Sequence, residues 1–208
     1  MLPTAFMPSR QSPLSDERLE DLIRLADSGD ATAREHLFAS LYEELHRIAR
    51  RELRRQGSAL TLGPTTLLHE AYINLGERRG VEFPDRARFL AYASRAMRGL
   101  IIDYARSRQA LKRGSAFEIT TLPTEVPENV ADFGQLQRLN DAVEHLAAAE
   151  PRLAQLVDLK YFSGFSFADI AAMWGVSERT VQREWEKARL FLFRTLSDVG
   201  LPDFSSSG

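Results

Sequence analysis

No cysteine occurs in the 208 residues, so a disulfide framework and a thiolate zinc site are both excluded. Only four histidines are present, and they are scattered. His69-Glu70 begins like a zinc-protease signature, but Ile73 stands where a second histidine is required, and the metal reading fails. A glycine loop suited to cradling phosphate is also missing. An enzyme therefore finds no support, and neither metal nor cofactor is expected. No apolar run approaches the roughly 20 residues that span a bilayer, so no membrane insertion is expected. The first residues, MLPTAFMPSRQSP, lack a basic stretch followed by an apolar one, so no secretion signal is expected. The cytoplasm is the expected compartment.

Net charge is also small, at −2, which on its face argues against nucleic acid. The distribution says otherwise. Arg86, Arg88, Arg95, Arg98, Arg106, Arg108, Lys112 and Arg113 are opposed by Asp103 alone, a local charge of +7. From Gly114 to Glu150, seven acids face Arg138 alone, a charge of −6. A basic block is followed by an acidic one.

What is abundant is helical periodicity, and the expected fold is all-α. Residues 1–14 carry three prolines and no periodicity, and disorder is expected there. Ser15, Asp16 and Glu17 suit the start of a short helix with Leu19, Leu22, Ile23 and Ala26 on one face. One longer helix is expected from about Ala31 to Arg55, with Leu37, Leu41, Leu45, Ile48 and Leu53 in its stripe. Its acids precede Arg47, Arg50, Arg51, Arg54 and Arg55, a polarity that suits the helix dipole. Phosphate binding is the rarer role for such a run. Pro64 suits the first position of a third helix with Leu67, Leu68, Ala71, Tyr72 and Leu75 facing in. A fourth helix, from Asp85 to about Arg108, buries Phe89, Tyr92, Ala93, Ala96, Met97, Leu100, Ile101 and Tyr104. Its arginines are expected outside that stripe, as a solvated face or, by the excess of charge, a nucleic-acid face. The expected organisation is a first helical domain over 15–111, an extended acidic linker over 112–134, and a second helical domain over 135–200. A tail from 201 to 208 follows the second domain.

The densest signal is FSFADIAAMWGVSERTVQREWEKAR, Phe165 to Arg189. It reads as a helix, a glycine turn at Gly175, and a second helix capped by Ser177. Val181, Trp185, Ala188 and Leu192 recur at helical spacing and face inward. Arg179, Thr180, Gln182, Arg183, Glu186 and Lys187 remain outside, the composition of a recognition helix for a major groove. An ordinary hairpin with a solvated face is the bland alternative. Two basic helical modules on one tether could engage two DNA segments at once.

Taken together, LLHEAYINL (Leu67 to Leu75), FLAYASRAMRGLIIDYARSR (Phe89 to Arg108) and this hairpin resemble a bacterial RNA polymerase sigma factor of the extracytoplasmic-function (ECF) type. The resemblance covers about Leu19 to Leu196. It implies a first domain that grips the polymerase clamp and melts the −10 element, and a second that reads the −35 element. On that resemblance Arg179, Thr180, Gln182, Arg183, Glu186 and Lys187 fall on −35 contacts. Arg86, Arg88, Tyr92, Arg95 and Arg98 fall on the segment that captures −10 bases. Leu67, Leu68, Glu70, Tyr72 and Asn74 fall on the polymerase contact. The partners implied are core RNA polymerase and promoter DNA, with room for an anti-sigma factor, and the free protein is expected to be a monomer.

Two departures stand out. The family frequently places Asn where Gly99 stands. It also commonly carries an acidic D-A-E-D run where Gly63, Pro64, Thr65 and Thr66 stand. Some groups within the family lack the run and are coupled to Ser/Thr kinases. A phosphate on Thr65, Thr66 or Thr61 would restore negative charge, about −1.5 to −2, at a helix start. Simple service of the threonines at that start is the alternative. The runner-up function is a helix-turn-helix regulator that acts without being a polymerase subunit.

Overall fold

A computed structural model describes residues 16–55, 62–77, 83–114 and 130–197, and every described element is helical. The expected disordered N-terminus (1–14), Thr61, most of the linker and the tail lie outside these residues. The first short helix forms where expected, as α1 (Asp16–Asp27), and buries Leu19 and Ile23. Gly29, at φ 95°, turns the chain in the left-handed region that glycine tolerates. Asp30 then caps α2 (Ala31–Ser40) by accepting from the backbone N–H groups of Thr32 and Ala33.

The long helix expected over 31–55 is two. It breaks at Leu41, between α2 and α3 (Tyr42–Arg55). Ser40 donates back to the His36 carbonyl at 2.7 Å, a bond that bends helices. Leu41 keeps its side chain in the core at the bend. Pro64 starts α4 (Pro64–Glu77), as its fixed φ and missing N–H favour. Helix α5 (Arg86–Gly114) runs past the expected end near Arg108, and α6 (Val130–Ala149) begins before the expected Gln135. Residues 112–114 and 130–134 therefore belong to helices and not to the expected linker.

After α7 (Pro151–Val157) the chain widens into a π-turn, Asp158–Phe162, where an uninterrupted helix was expected. Helices α8 (Phe167–Trp174) and α9 (Glu178–Ser197) complete the chain. Helices α3, α4 and α5 pack on one another, and so do α6, α7 and α9. The π-turn packs on α3 and α5, and α6 on α5. The buried residues of both groups thereby join in one continuous core.

Candidate nucleic-acid interface

The hairpin is fixed by local chemistry at each corner. Ser166 and Asp169 close a reciprocal capping box at the start of α8. The Ser166 hydroxyl and then its backbone N–H, both donating to Asp169 Oδ2, hold that carboxyl below its ordinary pKa. Gly175 ends α8 at φ 62°, and Val176 N–H closes on the Ala171 carbonyl. Ser177 Oγ accepts from Thr180 N–H at 3.2 Å and so caps α9. Val181, Ala188, Leu192 and Leu196 are buried, and Trp185 is half-buried against Phe167. The periodicity therefore leaves Arg179, Gln182, Arg183, Glu186 and Lys187 exposed along one face, with Thr180 at its edge. Gln182 donates to Glu178, and Arg189 pairs with Glu186. Arg183 and Lys187 have no acidic partner among the described residues.

Helix α5 presents its arginines differently. Arg88 is exposed, while Arg86 pairs with Glu44 of α3. Tyr92 is half-buried, edge-on to Phe83 at 5.0 Å. Arg95 pairs with Glu144 of α6. Arg98, expected on an outer face, is 0% exposed. Its Nη1 donates to Asp158 Oδ1 and its Nε to Asn140 Oδ1, each at 2.9 Å. The Phe162 ring lies against the same guanidinium, 3.8 Å from centroid to Cζ. Burial overrides the helical stripe here because the second group of helices supplies a counter-charge, two acceptors and an aromatic face.

The arginines of α3 take part in the same seam. Arg55 donates to the Tyr161 carbonyl at 3.0 Å and stacks over the Tyr161 ring. Arg51 reaches the same carbonyl at 3.4 Å. At Gly164, φ 79°, the left-handed backbone favours glycine, and a Cβ there would lie 2.8 Å from Arg51 Cζ and displace that guanidinium. Glu52 is fully buried and accepts from Ser94 Oγ at 3.3 Å. Desolvation pushes its carboxyl up to about 7, against the pull of Arg98 and Arg55. Burial likewise raises the Asp158 pKa, opposed by Arg98.

On α4, Thr65, Thr66 and Glu70 are exposed, and Tyr72 and Asn74 are half-buried. Leu67 and Leu68 lie in the core, so they anchor α4 and do not offer a contact surface. No group of acids and histidines suited to a metal occurs among the described residues.

The profile of the family described as ECF sigma factor matches residues 16–198. The chain belongs to the ECF sigma factor family. A comparison with curated proteins gives no match. As a sigma factor the chain serves promoter-specific transcription initiation, which engages core RNA polymerase and promoter DNA. No helix among the described residues is long and apolar enough to cross a membrane. Four residues that organise the sigma factor's basic helix escaped sequence reasoning: Asn140, Glu144, Asp158 and Phe162. Asp158 alone left a trace, as a single acid inside the apolar run Leu156-Val157-Asp158-Leu159.

Proposed function

We propose that this sigma factor directs core polymerase to its promoters with two faces. Arg179, Thr180, Gln182, Arg183, Glu186 and Lys187 of α9 read the −35 element in the duplex major groove. Arg86, Arg88, Tyr92, Arg95 and Arg98 of α5 serve the −10 element. Glu70, Tyr72 and Asn74 of α4 meet the polymerase clamp, held in place by Leu67 and Leu68. The observation that carries this reading is the exposed polar face of a capped α9 standing on a buried Val181–Ala188–Leu192 stripe. Family membership supports the same assignment.

The clamp contact is completed by phosphorylation of Thr65 or Thr66 by a Ser/Thr kinase. Both side chains are exposed in the first turn of α4, which contains no acidic residue. A phosphate there gains the helix dipole and free N–H groups. Thr61 is a third candidate outside the described residues. An anti-sigma factor is a further partner open to this chain.

Run-off transcription with purified core polymerase and a genomic promoter library tests the reading. Specific initiation that requires the chain supports it. Binding to a palindromic duplex without polymerase would instead support an independent regulator. A Thr65→Ala/Thr66→Ala protein that supports transcription in the cell as well as wild type would exclude the phosphate switch.

A further inference from the structure

Helix α9 carries the acids Glu178, Glu184 and Glu186, although its exposed side is assigned above to polyanionic DNA. Two of them are neutralised by cations. Glu184 pairs with Arg152 of α7 at 3.1 Å, and Glu186 pairs with Arg189 at 3.4 Å. Glu178 makes no ion pair among the described residues. It accepts instead from the Gln182 side-chain amide, Nε2 to Oε1, at 3.2 Å. Both side chains are exposed, and the four-residue spacing puts Gln182 one turn further along the same face. We infer that Glu178 is a positioning residue: by holding the Gln182 amide, it makes Gln182 a reader of adenine, against guanine, in the −35 element. The inference rests on the −35 reading of α9 given above.

The chemistry of the bond fixes what Gln182 has left to offer. A carboxylate oxygen accepts and never donates, so the amide turns its nitrogen to Glu178 and spends one of two N–H groups there. One N–H and the carbonyl Oε1 remain, a donor beside an acceptor. In the major groove only adenine presents the complement, the N7 acceptor beside the N6 donor. Guanine presents two acceptors, N7 and O6, and would meet one donor and an opposing carbonyl oxygen. Thymine O4 and cytosine N4 each supply a single partner. Without Glu178 the amide could swing its NH2 toward guanine, and the bond disfavours that orientation. The Ser177 and Thr180 hydroxyls, 2.8 Å apart, tie down a second polar side chain in the same turn. The plain alternative is that a first-turn acid only complements the helix dipole.

Base selection by the full chain with core polymerase separates the two roles. A promoter recovered by run-off transcription is randomised through its −35 element, and enrichment of A over G is read at every position. Gln182→Ala should flatten one position, at which wild type prefers adenine over guanine roughly fivefold or more. Glu178→Ala should cut that preference to roughly twofold or less and leave the other positions unchanged. Glu178→Asp keeps the first-turn charge for the dipole but falls one methylene short of Gln182, so it should behave like Glu178→Ala. Helical circular dichroism checks the fold, and if Glu178→Ala loses helix, Glu178→Asp carries the comparison. A preference retained in either folded Glu178 variant overturns the positioning role. So does an even loss across all positions, which marks an acid that serves the helix alone. A Gln182 position that selects a base other than adenine overturns it too. In those cases the −35 reading stands, whereas a Gln182→Ala protein that flattens no position removes that reading of Gln182 as well.

Discussion

Helices α9 and α5 both carry arginines on faces opposite an apolar stripe, yet they meet opposite fates. Arg183 and Lys187 of α9 are exposed, whereas Arg98 of α5 is wholly buried and Arg95 is held by Glu144. The difference lies in what packs next to each helix. Nothing described covers the outer face of α9, while α6 and the π-turn lie across α5. A count of positive charge along a helix therefore sets what the helix could bind, and tertiary packing sets whether it is available.

The largest expected effect comes from breaking the buried side of this contrast. Asp158→Ala leaves Arg98 as an uncompensated charge, and removal of one partner of a buried pair costs about 3–5 kcal/mol. Denaturant titration should show that loss in the seam-dependent transition, with α9 helicity retained.

Proton linkage sharpens the comparison next. Burial pushes the Glu52 carboxyl up to about 7 in the folded protein, from 4.5 for a solvated glutamate. Its folded pKa is raised, so the folded chain holds the extra proton between those values. The associated stability is fully present below 4.5 and lost as pH rises through about 7. The whole shift corresponds to about 3 kcal/mol, of which about 1 kcal/mol falls between about pH 6 and pH 8. The unfolding free energy should fall over that window, and Glu52→Gln should flatten the fall.

On the exposed side, Arg183→Ala should leave stability within about 0.5 kcal/mol of wild type. Promoter binding by the polymerase complex should weaken by about 1–3 kcal/mol if a base contact is lost. Equal losses on all sequences would mark a phosphate contact instead.

The smallest effect concerns the body of α5. A Cβ at Gly99 would meet nothing within 4 Å, and glycine inside a helix costs roughly 0.5–1 kcal/mol relative to alanine. Gly99→Ala should raise the melting temperature by a few degrees.

The hairpin was legible in the sequence because each determinant is local. Gly175, Ser177 and the Val181–Ala188 spacing act within a few residues of one another, and each took its expected role. The starts of α1 and α4 were legible for the same reason. The seam was not, because Arg98 and Asp158 are 60 positions apart and no periodicity encodes their pairing. The arginine run of α3 suited a helix dipole by sequence. Yet Arg51 and Arg55 reach across to Tyr161, a contact spanning more than a hundred residues. The break at Leu41 lacks the glycine or proline that usually announces one, and the π-turn arises inside an apolar run that reads as plain helix.

Arginine-specific modification with phenylglyoxal, followed by mass spectrometry of the free protein, tests the contrast most directly. The account predicts rapid modification of Arg183 and strong protection of Arg98, with protection lost in Asp158→Asn. Equal rates at Arg98 and Arg183 in the wild-type chain would contradict it.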